Sequence, residues 1–210
     1  INTNRFQQRV AVTYNDPYFT IDGISLGGSI SYSELDAGNV NLIQFNTKTY
    51  AIGANLGFPI DQYNRLSFGL SYRNEELSQR DTYIQTARFY DLFADPNDPD
   101  APIKYDTFLL SGAWSRSTLN RGVFPTAGSN QRLTLSVATP NSDAKYYKLE
   151  FDSRFYFPIS RDQRWSFLTR VRAGYGNGYG TENGRDHFLP FTQNFTAGGS
   201  GTLRGFENNT

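Results

Sequence analysis

The strongest constraint in this sequence is an alternation of apolar and polar residues with a period of two. In its clearest stretch, Leu149 and Phe151 alternate with Glu150 and Asp152. This period is typical of β-strands that have one apolar and one polar face. It recurs in eight segments, at about 6–14, 24–32, 50–58, 66–72, 107–117, 131–139, 146–157 and 165–175. The predicted fold class is therefore all-β, with one helical piece expected at 84–93 in a long connection.

Strands of this kind fit two folds, a transmembrane antiparallel β-barrel and a soluble β-sandwich. Segment lengths near ten residues match the roughly 9–11 residues with which a tilted strand crosses a bilayer. The polar positions are rich in Gly, Ser and Arg, which suits a wet lumen. Shorter and longer connections tend to alternate, with 141–145 as an exception. Outer-membrane barrels have short periplasmic turns and long extracellular loops, so these features favour the barrel.

The alternation also assigns strand residues to faces. Five apolar residues are predicted to face lipid: Leu26, Leu56, Leu70, Leu135 and Phe151. The predicted lumen carries Ser29, Asn55 and Ser71 together with six charged residues: Lys148, Glu150, Asp152, Arg154, Arg170 and Arg172. Aromatic residues near the strand ends are predicted to form girdles at the two membrane surfaces. They are Tyr14, Tyr32, Phe58, Tyr72, Phe157, Trp165 and Tyr175.

Composition excludes several classes of protein. With 20 basic and 20 acidic residues the net charge is zero, so no nucleic-acid partner is indicated. No segment approaches the roughly 18 uncharged apolar residues of a transmembrane helix, which argues against a helical membrane protein. The absence of cysteine excludes disulfides and thiolate sites. The polar start INTNRFQQ is not a secretory signal and is expected to be an internal stretch of a longer chain.

The shorter connections share an aromatic residue followed by proline. The stretches GFPID, VFPTAG and YFPIS have this order, and NDPYF is a variant of it. Proline cannot donate a hydrogen bond to a ladder and so ends a strand, while an aromatic ring favours the membrane interface. These repeats are interpreted as strand ends rather than active sites.

Six stretches in order along the whole chain resemble the BamA family of outer-membrane protein assembly factors. They are NDPYFTIDGISLGG, LGFPIDQYN, LNRGVFPTAGS, YYKLEFDSRFYFPI, RVRAGYGNGYG and PFTQNFTAGGSGTLRGF. The last contains the family's sixth-loop signature, usually valine-arginine-glycine-phenylalanine, here Leu203, Arg204, Gly205 and Phe206. The leucine in place of valine is a conservative departure.

The resemblance implies a fold and a domain organisation. The family has a sixteen-stranded barrel preceded by periplasmic POTRA repeats. This chain would supply strands four to eleven over residues 1–175, and 176–210 would begin the long extracellular loop that folds into the lumen. The first and last strands of the barrel, which form the family's gate, would lie outside it. Eight such strands, with so many charges on the inner face, are expected to leave both terminal edges open.

The resemblance also implies a function and partners. The complete protein would fold β-barrel proteins and insert them into the bacterial outer membrane, with no enzyme activity and no cofactor or metal. Implied partners are unfolded outer-membrane protein clients, accessory lipoproteins, and outer-membrane lipids including lipopolysaccharide. Arg204 would point into the lumen and pair with carboxylates, mainly on strands beyond Thr210, with Glu150 and Asp152 as the candidates within the chain. A transport barrel, either a porin or a two-partner-secretion transporter, is the alternative function.

Three local features resemble chemical sites only weakly. The pair Asp186–His187 lacks the converging third group that a catalytic triad needs. The acidic run DPNDPD lacks the sixth-position glycine of a calcium loop. The glycine-rich stretch GYGNGYG precedes no helix that could bind phosphate. No catalytic, cofactor or metal residue is therefore predicted.

Overall fold

A single antiparallel sheet organises the chain. The computed structural model describes residues 2–3, 7–36, 46–78, 92–93, 101–160, 162, 165–182 and 184–195. Nine strands lie in the sheet in sequence order, each hydrogen-bonded to the next. They are β1 (Asn2–Thr3), β2 (Gln7–Asp16), β3 (Ser25–Asp36), β4 (Asn46–Pro59), β5 (Asn64–Ser78), β6 (Ile103–Ser117), β7 (Gly128–Ala138), β8 (Tyr146–Pro158) and β9 (Ser166–Gly178). The predicted all-β antiparallel architecture is confirmed.

Two small elements follow β9. The strands β10 (Thr181–Glu182) and β11 (Arg185–Asp186) form a two-stranded hairpin. A short 3-10 helix then spans Phe191–Gln193. Neither was expected from the alternation, because both are too short to show a period. Of the helix predicted at 84–93, only 92–93 belong to the described residues, and these two are helical.

Strands extend beyond the alternating segments at one end of the sheet. The predicted segment 66–72 corresponds to β5, but this strand continues to Ser78. In the same way β6 begins at Ile103 instead of 107. Cross-strand pairing holds these extensions, since Leu77 pairs with Ile103 in the ladder. The alternation is lost there, because charged residues such as Glu76 lie on the apolar face and apolar residues such as Leu77 lie on the polar face.

The sheet is open within the described part of the chain. The order runs from β1 to β9 without a pairing that joins the two ends. A strand with unpaired N–H and C=O groups is a template for further pairing, so both edges need partners. The prediction that these strands alone leave their edges open is confirmed.

The short aromatic–proline connections all lie at one end of the sheet, hereafter the turn end. They join β2 to β3, β4 to β5, β6 to β7 and β8 to β9, as antiparallel order requires. In the tightest of them, Asp61 accepts hydrogen bonds from the backbone amides of Tyr63 (2.7 Å) and Asn64 (2.9 Å). The Asn64 side-chain amide also donates to it, and this bond is the main cause that lowers the pKa of Asp61. The Asp61 side chain thus closes the turn together with the Ile60 amide, which donates to the Asn64 carbonyl at 2.9 Å.

The opposite end, hereafter the loop end, carries the remaining connections. The short one there, 139–145, packs along β6 where β7 has already ended. The hydroxyl of Ser142 accepts a hydrogen bond from the Phe108 amide at 2.9 Å, and the Asp106 amide donates to Asp143 at 2.7 Å. This connection, which was predicted to be short, supplies backbone partners to β6 where β7 has ended.

The register separates two faces across the whole sheet. Leu26 pairs with Leu56, Leu70 pairs with Leu110, and Leu135 pairs with Leu149, so these residues share one face, the apolar face. The opposite face, the polar face, carries Ser29 in β3, Asn55 in β4 and Asp152 in β8. Large apolar side chains such as Val12, Ile30 and Leu70 are exposed on the apolar face. No helix in the described part of the chain is long and apolar enough to cross a membrane.

Candidate functional site

The polar face holds a charged cluster centred on one carboxylate, Asp152. Arg170 donates from Nε (3.1 Å) and Nη2 (2.5 Å) to Asp152 Oδ2, and Arg172 Nε donates to the same oxygen at 2.8 Å. Arg154 Nε lies 3.4 Å from Oδ1. Because β8 and β9 are adjacent and pair Arg154 with Arg170 and Asp152 with Arg172, the register itself brings these groups together.

Among the described residues, this cluster has more positive than negative charge. In the described part of the chain, three arginines contact Asp152, and a fourth, Arg132, faces it in the register of β7 and β8. The neighbouring Lys148 is neutralised by Glu150, whose Oε1 lies 3.2 Å from the lysine Nζ. Arginine cannot lose its proton at accessible pH, so the excess positive charge is permanent.

Residues 187–195 fold over the polar face next to this cluster, and we call them the inward segment. The Phe195 ring lies 4.6 Å from Lys148 Nζ, a cation–π geometry. It also covers Gly174, where an added Cβ would collide with the ring. A cavity of about 510 Å³ remains between the segment and the wall; it is lined by Lys148, Glu150, Asp152, Arg172, Gly174, Asn194 and Phe195.

A second contact area anchors the inward segment nearer the loop end. Phe188, Leu189 and Phe191 pack on an apolar cluster of the wall, whose members are Leu77, Ile103, Tyr105, Ala138, Ala144 and Tyr146. The hydroxyl groups of Tyr105 and Thr192 are hydrogen-bonded at 3.3 Å. Tyr105 also stacks on Phe93 with ring centroids 5.6 Å apart. The largest buried core of the sheet therefore lies on its otherwise polar face, under this segment.

Glu75 is buried beside this anchor and was not singled out from the sequence. It pairs with Tyr105 in the ladder, and its side chain is hydrogen-bonded to the tyrosine. Arg73 lies two residues earlier on the same face. Alternation alone could have placed both on the polar face, but it could not show that Glu75 is buried there and Arg73 half-buried.

The structure places the predicted face residues consistently. All five residues predicted to face lipid lie on the apolar face, and the nine predicted to face the lumen lie on the polar face. The predicted girdle residues lie on the apolar side, with Tyr32, Tyr72 and Tyr175 towards the loop end. Phe58, Phe157 and the 72 % exposed Trp165 lie towards the turn end. What each face contacts stays a prediction.

The sixth-loop signature, Leu203 to Phe206, lies outside the described residues. The structure does bear on its two candidate partners within the chain. Asp152 already binds Arg154, Arg170 and Arg172, and Glu150 already binds Lys148. Their pairing with Arg204 stays a prediction.

The structure describes two of the three features that weakly resembled chemical sites. His187 is buried, and its backbone amide donates to the Gly180 carbonyl at 3.0 Å. The stretch 174–180 forms the end of β9 and the following bend. Among the described residues, no group of three or more His, Cys, Asp or Glu side chains is arranged to hold a metal ion. The acidic run 95–100 lies outside the described residues.

An open antiparallel sheet with one apolar face, and a loop segment packed on the other, is the architecture of part of an outer-membrane β-barrel. The whole chain, residues 1–210, matches the Omp85 superfamily domain, and the chain belongs to this superfamily. The family and the relatives below together indicate an outer-membrane β-barrel protein.

Curated relatives and a solved structure agree with this assignment. The chain is 27% identical over 206 residues to the outer membrane protein assembly factor BamA of Neisseria meningitidis, covering 95% of this chain and 25% of that protein. It is 26% identical over 81 residues to BamA of Buchnera aphidicola, covering 39% of this chain and 13% of that protein.

The crystal structure of BamA from Haemophilus ducreyi lacking POTRA domains 1–3 superposes with a TM-score of 0.85 at 33% identity. The match covers 99% of this chain and 39% of the solved chain. The present chain thus spans about a quarter of the length of the Neisseria relative. These relatives are named as assembly factors rather than as enzymes.

Proposed function

We propose that the complete protein folds β-barrel proteins and inserts them into the bacterial outer membrane. The observation that carries the proposal is the similarity to BamA over nearly the whole chain, with 33% identity and a TM-score of 0.85. The activity named for the relatives is transferred to this protein on that basis. The chain contributes central strands of the barrel wall, over residues 1–175, and the start of a loop that folds into the lumen, over 176–210.

The physical problem for such a protein is the unpaired edge of an incoming strand. Each unpaired backbone N–H or C=O group costs several kcal/mol in hydrocarbon. A barrel with an open seam supplies an edge to which these groups can bond. The open edges at β1 and β9 continue into the rest of the wall, and the seam belongs to strands outside this chain.

The two faces take different environments in this proposal. The apolar face contacts lipid, and the protein is an integral barrel that crosses the membrane with each of its strands. The polar face lines the lumen, where the inward segment fills space beside the Asp152 cluster. The packing of Phe188, Leu189 and Phe191 on the wall supports this arrangement, because an aqueous lumen favours burial of those apolar side chains.

The partners follow from the proposed activity. They are unfolded outer-membrane protein clients, outer-membrane lipids including lipopolysaccharide, and accessory lipoproteins that bind parts of the complete protein. The function requires no nucleotide, metal or other cofactor, because strand pairing and burial in lipid supply the free energy.

Complementation tests the function directly. The full-length gene is expressed in cells depleted of their own BamA, with a porin gene as the negative control. We expect growth and normal levels of outer-membrane porins to return with this gene alone. Accumulation of the protein in the outer membrane without recovery of client assembly would instead support a transport barrel.

A further inference from the structure

The connection between β2 and β3, at the turn end, presents three large apolar side chains to solvent. Ile21 is fully exposed, Tyr18 is 79% exposed, and more than half of Phe19 is accessible. Tight turns are usually built from small and polar residues. Apolar residues scattered singly over a surface are normal, whereas a contiguous group of them marks an interaction site.

Other groups close this turn and fix its backbone. The Tyr18 amide donates a hydrogen bond to Asp16 Oδ1 at 3.0 Å, and the Gly23 amide donates to the Thr20 carbonyl at 3.0 Å. Gly23 has a φ of +79°, a conformation that favours glycine. The three apolar side chains therefore project from a backbone that polar contacts already hold.

A neighbouring turn extends this apolar surface. In the connection between β4 and β5, Ile60 and Tyr63 are also exposed. The two turns are in contact, since a Cβ added at Gly23 would lie 3.5 Å from Pro59 Cγ. We call the exposed apolar residues of the two turns the turn-end patch; they are Tyr18, Phe19, Ile21, Ile60 and Tyr63.

The size of the patch indicates a weak contact. Its five side chains are each about half exposed or more, and they offer roughly 500 Å² together. Each partner of a stable complex buries about 800 Å². The patch alone therefore suits a transient partner better than a permanent one.

The position of proline places two of these rings beyond the end of the strand. In the other short connections an aromatic residue precedes proline and so belongs to the strand end. Here Tyr18 and Phe19 follow Pro17 instead, and β2 ends at Asp16. Because proline ends a strand, both rings lie in the turn rather than at the strand end, where an interfacial girdle would need them.

The β2–β3 turn also carries net negative charge. Asp16 and Asp22 lie on either side of its apolar residues, and residues 10–47 contain no Lys or Arg. Arg116, on β6, is close to Asp61 of the neighbouring turn and helps to lower the pKa of that carboxyl. The uncompensated charge therefore belongs to the β2–β3 turn, which attracts basic groups and repels the phosphates of lipid headgroups.

We propose that the turn-end patch binds extended segments of unfolded β-barrel clients in which apolar residues alternate with lysine or arginine. The apolar side chains of the segment contact the patch, and its cations lie near Asp16 and Asp22. The two turns are two strands apart, about 10 Å, a distance that about three residues of an extended chain span. The inference rests on the proposed function, in which clients reach the barrel from the periplasm, the side on which short turns lie.

Peptide binding to the purified full-length protein, held in nanodiscs of zwitterionic phospholipid, tests the proposal. The probe is a fluorescent peptide in which phenylalanine alternates with lysine, and a second peptide has glutamate in place of lysine. Empty nanodiscs give the background. We expect the lysine peptide to bind more tightly. Ile21→Ser should weaken its binding about tenfold, since burial of one isoleucine side chain is worth at least that factor. Asp22→Asn should reduce the preference for lysine over glutamate.

Val123→Ser is the matched control. It removes an exposed apolar side chain from the β6–β7 turn at the same end of the sheet and should leave peptide binding unchanged. The proposal is overturned if Ile21→Ser binds the lysine peptide like the wild type, or if the glutamate peptide binds equally well.

Two further outcomes would assign the patch to another occupant and overturn the proposal. Quenching of a fluorophore on Ile21→Cys by brominated lipids would place the patch in the bilayer. Stronger peptide binding after removal of periplasmic domains from the full-length protein would show that a folded domain covers it. Failure of the patch leaves complementation by the wild-type gene intact, whereas failure of the proposed function abolishes that complementation whether or not the peptides bind.

Discussion

At the scale of single residues, Asp152 has the highest density of charged contacts in the described part of the chain. Its carboxylate compensates Arg154, Arg170 and Arg172 at once, within a cluster that has excess positive charge. Removing one acid from such a cluster leaves several cations facing one another. The cost comes more from the charges left behind than from the bonds lost.

We therefore expect Asp152→Asn to destabilise the full-length barrel. The substitution keeps the shape of the side chain, and the predicted loss in unfolding free energy is roughly 1–3 kcal/mol for these partly exposed contacts. Urea unfolding in lipid vesicles measures it. Glu150→Gln is the control, because it breaks a single, more exposed ion pair and should cost under about 1 kcal/mol. Equal losses for the two variants would show that the arginines do not depend on Asp152.

At the scale of elements, the packing of the inward segment depends on a glycine, Gly174, in β9. Gly174 lies beneath the Phe195 ring, and the space for a Cβ is occupied by that ring. We expect Gly174→Ala to displace Phe195. The backbone amides of residues 187–195 should then exchange hydrogen about tenfold faster, which corresponds to a loss of ~1.4 kcal/mol in the free energy that holds the segment closed. Gly112→Ala is the control, since the nearest side-chain atoms lie 3.9 Å from its added Cβ. An unchanged exchange rate in Gly174→Ala would mean that Phe195 does not hold the segment.

The strands provide a second prediction at this scale, about which face meets lipid. Phe151 lies on the apolar face near the middle of β8, and Ser71 lies on the polar face of β5. Phe151→Arg should lower stability in bilayers by roughly 2–4 kcal/mol, the cost of arginine at the midplane. Ser71→Arg should cost much less. If the serine variant were the unstable one in vesicle unfolding measurements, the faces would be reversed.

Strand interiors were predictable from sequence because one face carries apolar side chains and the other polar ones. The ends were not. In Asn74–Ser78 the alternation breaks down, with Glu76 on the apolar face and Leu77 on the polar face, yet the segment stays in β5 because the ladder with β6 continues there. The docking of the inward segment was also beyond sequence reasoning, since the Tyr105–Thr192 bond joins residues 87 positions apart. Alternation correctly grouped the charged residues around Asp152, but it could not show which of them pair.

At the scale of the whole molecule, the described strands form an open sheet whose two edge strands need pairing partners. Its strands pair in sequence order, so the outer edges of β1 and β9 are left without a partner in the described part. Eight strands can close a small barrel, whose interior is then filled by side chains. Here the interior would have to hold the Asp152 cluster and the inward segment together, with Arg132, Lys148, Arg170 and Arg172 forced close. Closure would therefore cost electrostatic repulsion and the burial of unpaired charge.

We accordingly expect residues 1–210, refolded alone into detergent or lipid vesicles, to form no closed barrel. Unpaired edges in hydrocarbon cost several kcal/mol per backbone group, so the isolated strands should aggregate through edge pairing. The measurement is heat-modifiable gel mobility together with protection from protease, and the full-length protein under the same conditions is the control. A compact, heat-modifiable monomer of the isolated chain, with crosslinks between cysteines introduced in β2 and β9, would show that these strands close on themselves. The wall would then be a self-sufficient unit rather than part of a larger barrel.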